Sequence, residues 1–203
     1  MKYYKVLDKK QCSCNGGNGR WKPGVWMPKV ETIEPCESGY HLCRKQDLVY
    51  WLNEEIWLAE GCGKKIICDD KVVFQEARIL RKLNWNEKVA RLFACDCAEH
   101  VLHIFEKQYP NDKRPRKTIE VARKYACGQA TKKELVAARA AAWYAARDAA
   151  WDAAFAAVCA AARDAARDAA RDAAWAAACA AESAERKWQT KRLFEYLDGK
   201  VKL

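Results

Sequence analysis

The feature that most constrains this chain is an alanine-rich tract from Ala137 to Ala184, in which units such as Ala-Ala-Arg-Asp and Ala-Ala-Trp-Asp follow one another. Alanine is the best helix former because it loses no side-chain entropy on ordering. Neither Gly nor Pro interrupts the chain between Thr131 and Asp198. We therefore predict one very long helix over residues 132–197, which would span on the order of 100 Å if unbroken.

The start of this helix carries two signals. Gly128 suits the end of a preceding helix, because glycine readily adopts the left-handed conformation found there. Thr131 and Glu134 have the spacing of a capping box, in which each side chain accepts a hydrogen bond from the other residue's N–H. Both signals favour a helix that begins directly after Thr131.

Large side chains recur at every fourth position of the tract. Four residues turn about 400°, so this column drifts by about 40° per step around a helix. The drift brings the aromatic residues together twice, once in the first half and once near the end. It predicts two contact patches for a partner or for a second copy of the chain, formed by Trp143, Trp151, Phe155 and Trp175.

Three arginines of the same column, Arg163, Arg167 and Arg171, have rotated to the far side of the helix, and an Asp follows each one. Aspartate and arginine three residues apart can pair along a helix. One interpretation is thus a solvent-exposed ladder of ion pairs. The other is a surface for a nucleic-acid backbone or another anion, and both remain open.

Charge and cysteine content narrow the setting. The net charge of +10 is spread along the chain rather than concentrated in one arm, which permits an acidic partner without naming one. The N-terminus lacks the apolar core of a signal peptide, and charges interrupt every stretch long enough to span a membrane. We therefore expect a cytoplasmic protein without membrane contact, whose 11 cysteines are reduced.

We predict a small α+β module over residues 1–84, followed by an all-α region over residues 85–203. Short runs rich in β-branched and aromatic residues indicate strands, and residues 47–52 indicate a short helix. The strands are expected at residues 3–7, 56–60, 64–67 and 72–80, the last two joined by a tight turn. The predicted fold class is α+β at the N-terminus and mainly α overall.

The N-terminal module holds two candidate sites. Four of its cysteines could be the ligands of a tetrahedral zinc site. The C-x2-C spacing typical of such sites is missing, however, and reduced cysteines are the simpler interpretation. The candidate ligands are Cys12, Cys14, Cys36 and Cys43. His41 and Glu60 could instead form a polar pair at a nucleotide-handling site, or lie separately on the surface.

Short motifs give this module a family resemblance. A Gly-Tyr-His41-x-Cys43 element is followed by a helix and by a Glu60-Gly61 pair. Over residues 3–82 the chain resembles a small phage-associated domain. That domain has no established activity, so the resemblance implies no function.

Two helices are predicted between the module and the alanine tract, over residues 86–109 and 115–127, separated by Pro110 and a turn-prone Asn-Asp pair. Apolar residues recur at three- and four-residue spacing on the first helix and form one stripe. We expect the stripe to face the core; it comprises Val89, Leu92, Phe93, Cys97, Val101, Ile104 and Phe105.

Polar residues on these two helices suggest a network. Arginines of the connecting loop can form bidentate pairs with carboxylates of the first helix and so fix how the helices cross. Carboxylates and a histidine could also hold a metal, but that requires a second set of ligands, and the alanine tract contains no His. We predict no metal and no other cofactor. The network comprises Asp96, Glu99, His100, Glu106, Asp112, Arg114 and Arg116.

The same residues carry a second resemblance. Asp96, Glu99 and His100 on one helix, then Arg114 and an Ile-Glu helix, resemble a helical immunity-protein family of bacterial polymorphic-toxin systems. The resemblance covers residues 85–180. It implies an all-helical fold and toxin neutralisation by binding, without catalysis.

The leading functional hypothesis is therefore a non-catalytic binding protein of bacterial or phage conflict. It would be an immunity protein or a phage-encoded inhibitor or sponge, and its partner would be a toxin or defence protein. Self-association into a homo-oligomer is also plausible. One alternative is a nucleic-acid-binding protein that uses Arg114, Arg116 and the arginine ladder. A second is a nucleotide-handling enzyme that uses His41 and Glu60.

Overall fold

The structure is a computed structural model that describes residues 2–14, 19–142, 144 and 167–202; in the last of these ranges, side chains are described from residue 182 onward. The chain divides into two compact units. The first comprises Met1–Val89 and Arg186–Leu203, and the second comprises Ala90–Glu185. The predicted division into domains after residue 84 stays a prediction.

The first unit is built on a four-stranded antiparallel sheet in the order β1-β3-β4-β2. The strands are β1 (Tyr3–Leu7), β2 (Tyr40–Leu42), β3 (Glu55–Ile67) and β4 (Val72–Lys82). Strand β1 and the extent of β4 agree with the sequence prediction to within two residues. The tight turn between β3 and β4 is also confirmed, since the N–H of Cys68 donates to the carbonyl of Lys71 at 2.9 Å.

Strand β3 corrects the prediction of two separate strands over residues 56–60 and 64–67. The chain continues through both as one strand, and its register against β4 shifts between Cys62 and Lys65. A bulge of this kind absorbs extra residues without ending the strand. Gly61 is required inside the strand, because a Cβ there would overlap the ring of Phe74.

The core of the first unit lies on one face of the curled sheet. Alternate residues of β1 point to this face, where Trp21 covers them from the following loop. The buried cluster comprises Tyr3, Leu7, Trp21, Leu42, Trp57, Ala59, Val72, Phe74, Ala77 and Ile79.

The loop that carries Trp21 also protects a strand. The backbone N–H groups of Gly24, Met27 and Val30 donate to carbonyls of β4 at 2.8–3.1 Å. Strand β2 is too short to pair with this part of β4, so the loop satisfies these β4 carbonyl groups instead. An uncovered strand edge would be a template for aggregation.

Residues 47–52, predicted as a short helix, form only the 3₁₀ turn Leu48–Tyr50. Asp47 precedes this turn but its carboxylate does not cap it. Instead it accepts hydrogen bonds from the backbone N–H and the guanidinium of Arg44, the closer at 2.6 Å. A hydrogen bond between two charged groups is stronger than one to a neutral backbone N–H. The Asp47 carboxylate therefore pairs with the Arg44 guanidinium and does not cap the turn.

The helices are α1 (Glu87–Gln108), α2 (Arg114–Ala126), α3 (residues 132–142) and α4 (Arg167–Leu197). The first two agree with the predicted ranges to within a residue or two. The single long helix over residues 132–197 is not shown, since residues 143 and 145–166 lie outside the described residues. The chain is α+β overall, with helix as the larger share.

The end of α4 belongs to the first unit. Leu193, Tyr196 and Leu197 are buried there, and the Phe194 ring meets the Tyr4 ring edge to face at 5.2 Å. The apolar residues at the end of the chain therefore pack within the first unit.

Helix ends follow the predicted signals. Asn86 Oδ1 accepts from the N–H of Val89 at 3.0 Å and so caps α1. Thr131 and Glu134 form the capping box: the Glu134 carboxylate accepts from the Thr131 N–H at 2.7 Å, and Thr131 Oγ1 accepts from the Glu134 N–H at 3.2 Å. Gly128 adopts a φ of +74° after α2.

Removal of the Thr131 cap should weaken α3. We expect Thr131→Ala to lower the free energy of unfolding by about 1 kcal/mol, the usual cost of losing a hydroxyl cap. Thr131→Ser keeps the hydroxyl and is the control. Urea unfolding followed by circular dichroism measures both, and equal stability of the two variants would contradict the assignment.

Candidate functional site

Arginine–carboxylate pairs connect α1 and α2 in the second unit. Arg116 donates from Nε and Nη2 to the two oxygens of Glu106 at 2.6 and 2.7 Å. About two turns further along α2, Arg123 contacts Asp96 through Nη1 at 2.7 Å and also donates to Glu99. A bidentate pair fixes orientation as well as distance, so the two contact points set how α1 and α2 lie together.

The sequence predicts that the loop arginines reach Asp96, Glu99 or Glu106, and Arg116 pairs with Glu106. Arg114 folds back onto Asp112 of its own loop, with Nη2 to Oδ2 at 2.6 Å. Two residues of separation make this local contact easier to form than one across helices.

Arg123 is the residue that sequence reasoning missed. It follows Arg116 by seven residues, and seven residues are close to two turns of an α-helix. The two arginines must therefore share one face of α2. This seven-residue spacing, together with the carboxylates of α1, could have indicated that Arg123 also pairs with α1.

His100 contacts helix α4. Its Nδ1 lies 2.8 Å from Oε2 of Glu185 on α4, and His103 Nδ1 lies 3.0 Å from the carbonyl oxygen of His100. The histidine thus connects α1 to α4 within the second unit.

The Glu106–Arg116 pair makes stability depend on pH. The Arg116 hydrogen bond holds the pKa of Glu106 below its usual range. The folded state therefore favours the ionised carboxylate, so the contribution is complete above the unfolded pKa of about 4.3 and is lost as the pH falls through the folded value. The stability difference between wild type and Glu106→Gln should shrink as the pH falls from 6 toward 2.

Thermal unfolding across that pH range measures the effect. Glu31→Gln, which removes one exposed charge from the first unit, is the control for a general charge effect. A Glu106→Gln difference that stays constant with pH would contradict the assigned pair.

The predicted patches on the alanine tract lie largely outside the described part of the chain. Trp143, Trp151, Phe155 and Arg163 fall in residues that the structure does not describe. Arg167, Arg171 and Trp175 lie within helix α4, where only the backbone is described. The contact patches and the anion-binding interpretation of these arginines stay predictions.

The N-terminal candidates are placed separately. Glu60 Oε2 accepts from Arg78 Nε on the neighbouring strand at 2.9 Å. His41 Nε2 accepts from the N–H of Cys36 at 3.0 Å, and burial lowers the pKa of His41. Each residue therefore has a local structural partner, and neither of these contacts joins His41 to Glu60.

The cysteines form no metal centre in the described part of the chain. The nine cysteines whose side chains are described are free thiols. No three His, Cys, Asp or Glu side chains among the described residues are close enough to hold a metal ion, so the zinc ligands considered above do not assemble there. Cys43 is buried, and burial raises the pKa of its thiol to about 12, which disfavours the thiolate that zinc requires.

The second unit exposes apolar side chains that the sequence placed in the core. On α1, Val101 is 38% exposed and Ile104 is 63% exposed, although both belong to the predicted apolar stripe. Val136 on α3 is exposed as well. Lysines surround these residues in sequence and are themselves exposed: Lys107, Lys113, Lys117, Lys124, Lys132 and Lys133.

The fold thus defines an α+β protein whose second unit is helical in its described residues and cross-linked by arginine–carboxylate pairs. The family model described as Imm-5 like putative immunity protein matches residues 84–195. The chain belongs to this family, and the resemblance seen in the sequence over residues 85–180 is confirmed. The match does not extend to residues 3–82, so the resemblance to a phage-associated domain gains no support.

No curated protein and no solved structure shows significant similarity to the chain. Among the described residues, none of the helices combines the length and the hydropathy needed to span a bilayer.

Proposed function

We propose that this chain is a non-catalytic immunity protein that binds a toxin protein in the cytoplasm and blocks it. Family membership over residues 84–195 carries the proposal, because an immunity protein acts by binding its toxin. We further propose that a phage encodes the chain as an inhibitor of a bacterial toxin or defence protein.

The binding surface is proposed on the exposed part of α1. Val101 and Ile104 are three residues apart and therefore lie on neighbouring positions of one helix face. Exposed apolar side chains on a rigid element are typical of protein-binding sites. The arginine–carboxylate pairs of Arg116 and Arg123 hold α1 in place, which reduces the entropy lost on binding.

The charge around this surface indicates an acidic partner. Lys107 follows Ile104 by one turn of α1, and further exposed lysines lie on α2 and in the first turn of α3. In contrast, Arg114 and Arg116 are held by carboxylates, which reduces their availability for a nucleic-acid backbone. We therefore propose an acidic toxin surface as the partner and expect its association to slow as salt is added.

The test combines capture with protection. The tagged full-length chain is used to isolate partners from the native host, and each recovered protein is expressed alone in a bacterial cell. The proposal requires one that arrests growth alone, forms a stoichiometric complex with the chain and permits growth when the chain is co-expressed. Recovery of no growth-arresting partner, or failure to restore growth, contradicts it.

A double substitution locates the surface. Val101→Asp with Ile104→Asp should abolish growth protection and weaken binding at least a hundredfold, because buried interface positions reject charge. Val25→Asp, at an exposed apolar position of the first unit, is the matched control and should protect fully. Equal protection by the double variant would exclude this face of α1 as the binding surface.

A further inference from the structure

The first unit holds a pocket of about 260 Å³ that the proposed function does not use. Drug-sized ligands occupy roughly 300–1,000 Å³, so this pocket suits a smaller molecule. Its lining combines polar and apolar groups, including Lys5, Cys14, Tyr40, His41, Cys43 and Lys71.

Lys5 is the unusual member of this lining. It lies on β1, is only 7% exposed and belongs to the lining of the pocket. Nζ donates to the carbonyl of His41 at 3.0 Å and lies 4.9 Å from the centre of the Trp21 ring. No carboxylate in the described part of the chain pairs with it. A buried charge without a counter-charge is costly, and burial accordingly lowers the pKa of Lys5 to about 8.

The groups that face Lys5 do not supply the missing negative charge. Burial raises the pKa of Cys14 and of Cys43, which keeps both thiols neutral at pH 7. Burial and the nearby lysines lower the pKa of His41, which keeps its ring neutral as well. Glu37 lies at the exposed rim of the pocket.

Lys71 adds a second cation to the same pocket. Its Nζ lies 3.5 Å from Cys36 Sγ and 3.6 Å from Asp70 Oδ1, and its side chain is 14% exposed. Asp70 balances Lys71, whereas among the described residues no carboxylate pairs with Lys5. A small anion fits this combination of size and charge.

We propose that the pocket binds a small oxyanion, a carboxylate or a phosphate group, with the Lys5 ammonium as its main contact. The anion would supply the counter-charge that Lys5 lacks in the fold. Lys71, whose side chain is more exposed, would provide a second contact. Leu42 and Tyr40 supply apolar surface to the lining, and a less polar surrounding strengthens an ion pair.

Calorimetry of the full-length chain tests the proposal with two probes, inorganic phosphate and acetate, against chloride at equal ionic strength. We expect one or both probes to bind and to raise the unfolding temperature, while chloride does not. A response to phosphate alone or to acetate alone identifies the group that the pocket prefers. Absence of any response beyond that of chloride overturns the proposal.

Lys5→Met tests the contact directly. It should weaken probe binding at least tenfold, because methionine fills the same space without the charge. Lys65→Met, at an exposed position of β3, is the matched control and should bind as wild type does. Equal binding by Lys5→Met and wild type overturns the proposal.

A pH series on the unmutated chain gives a test that does not depend on the folding of a variant. Only protonated Lys5 attracts an anion, so acetate affinity should be constant near pH 7 and fall toward tenfold per unit above pH about 8. The series is repeated with Cys36→Ser to exclude a contribution from that thiol, which accepts a hydrogen bond from Lys71 in the same pocket. A flat profile between about pH 7 and 9.5 contradicts the role of Lys5.

Discussion

Replacing Trp21 with alanine is expected to lower the free energy of unfolding by about 3–5 kcal/mol, the range found for large aromatic residues removed from a core. Trp21 is only 1% exposed and packs edge to face against Tyr40, with the ring centres 5.6 Å apart. Its indole N–H donates to Ser13 Oγ at 3.2 Å. The substitution therefore opens a cavity, removes a hydrogen bond and uncovers the buried ammonium of Lys5.

The same loop provides the control. Trp26 is 38% exposed and contacts the guanidinium of Arg78 at 4.7 Å, so Trp26→Ala should cost only about 1 kcal/mol or less. Chemical unfolding followed by far-ultraviolet circular dichroism compares the two, since the remaining tryptophans complicate fluorescence. Similar losses for Trp21→Ala and Trp26→Ala would show that the loop does not seal the core as described.

Elements with local signals could be predicted from the sequence. Helices α1 and α2 have a clear apolar periodicity and a proline or asparagine near their ends, and the turn between β3 and β4 has polar residues between two β-branched runs. The capping box at Thr131 was equally readable. In each case the signal and the structure involve residues only a few positions apart.

Features that depend on distant residues could not be predicted in the same way. Strand β2 has only the residues Tyr40–Leu42 and is defined by its pairing with β4, about 30 residues further along the chain. The strand order depends on that pairing, and the environment of Lys5 depends on β2, because Lys5 Nζ donates to the carbonyl of His41. A lysine in a short strand ordinarily predicts an exposed position, so nothing local indicated the pocket.

The polar network was predictable in its residue types but not in its pairs. Carboxylates on α1 and arginines after Pro110 indicated ion pairs, and Glu106 with Arg116 forms one. The partner of Asp96 depends on how far α2 extends along α1, which is a tertiary property. The apolar periodicity of α1 predicts that the whole stripe faces the core, whereas Val101 and Ile104 are exposed. An exposed apolar stripe has the same sequence pattern as a buried one, so the pattern does not distinguish them.

The Asp96–Arg123 pair carries the second large prediction. The Asp96 side chain is only 8% exposed, whereas that of Arg123 is 33% exposed. Removing one partner of a fully buried pair costs about 3–5 kcal/mol, and partial solvent screening of Arg123 lowers our expectation for Arg123→Ala to about 2 kcal/mol. The loss arises because the buried Asp96 carboxylate loses its contact with the Arg123 guanidinium.

A double-mutant cycle distinguishes this pair from a surface contact. Arg123→Ala and Asp96→Ala together should cost less than the sum of the single losses, with a coupling energy of about 1–2 kcal/mol. The pair Glu106–Arg116 is the matched control on the same two helices, and because both of its side chains are more exposed, its coupling should be smaller and should weaken with added salt. Single losses for Asp96 and Arg123 that add to within about 0.3 kcal/mol would mean that the pair does not hold α1 and α2 together. In that case the rigidity assumed for the exposed face of α1 would have to come from the apolar contacts of Leu92, Phe93 and Leu102, which are buried on the same helix.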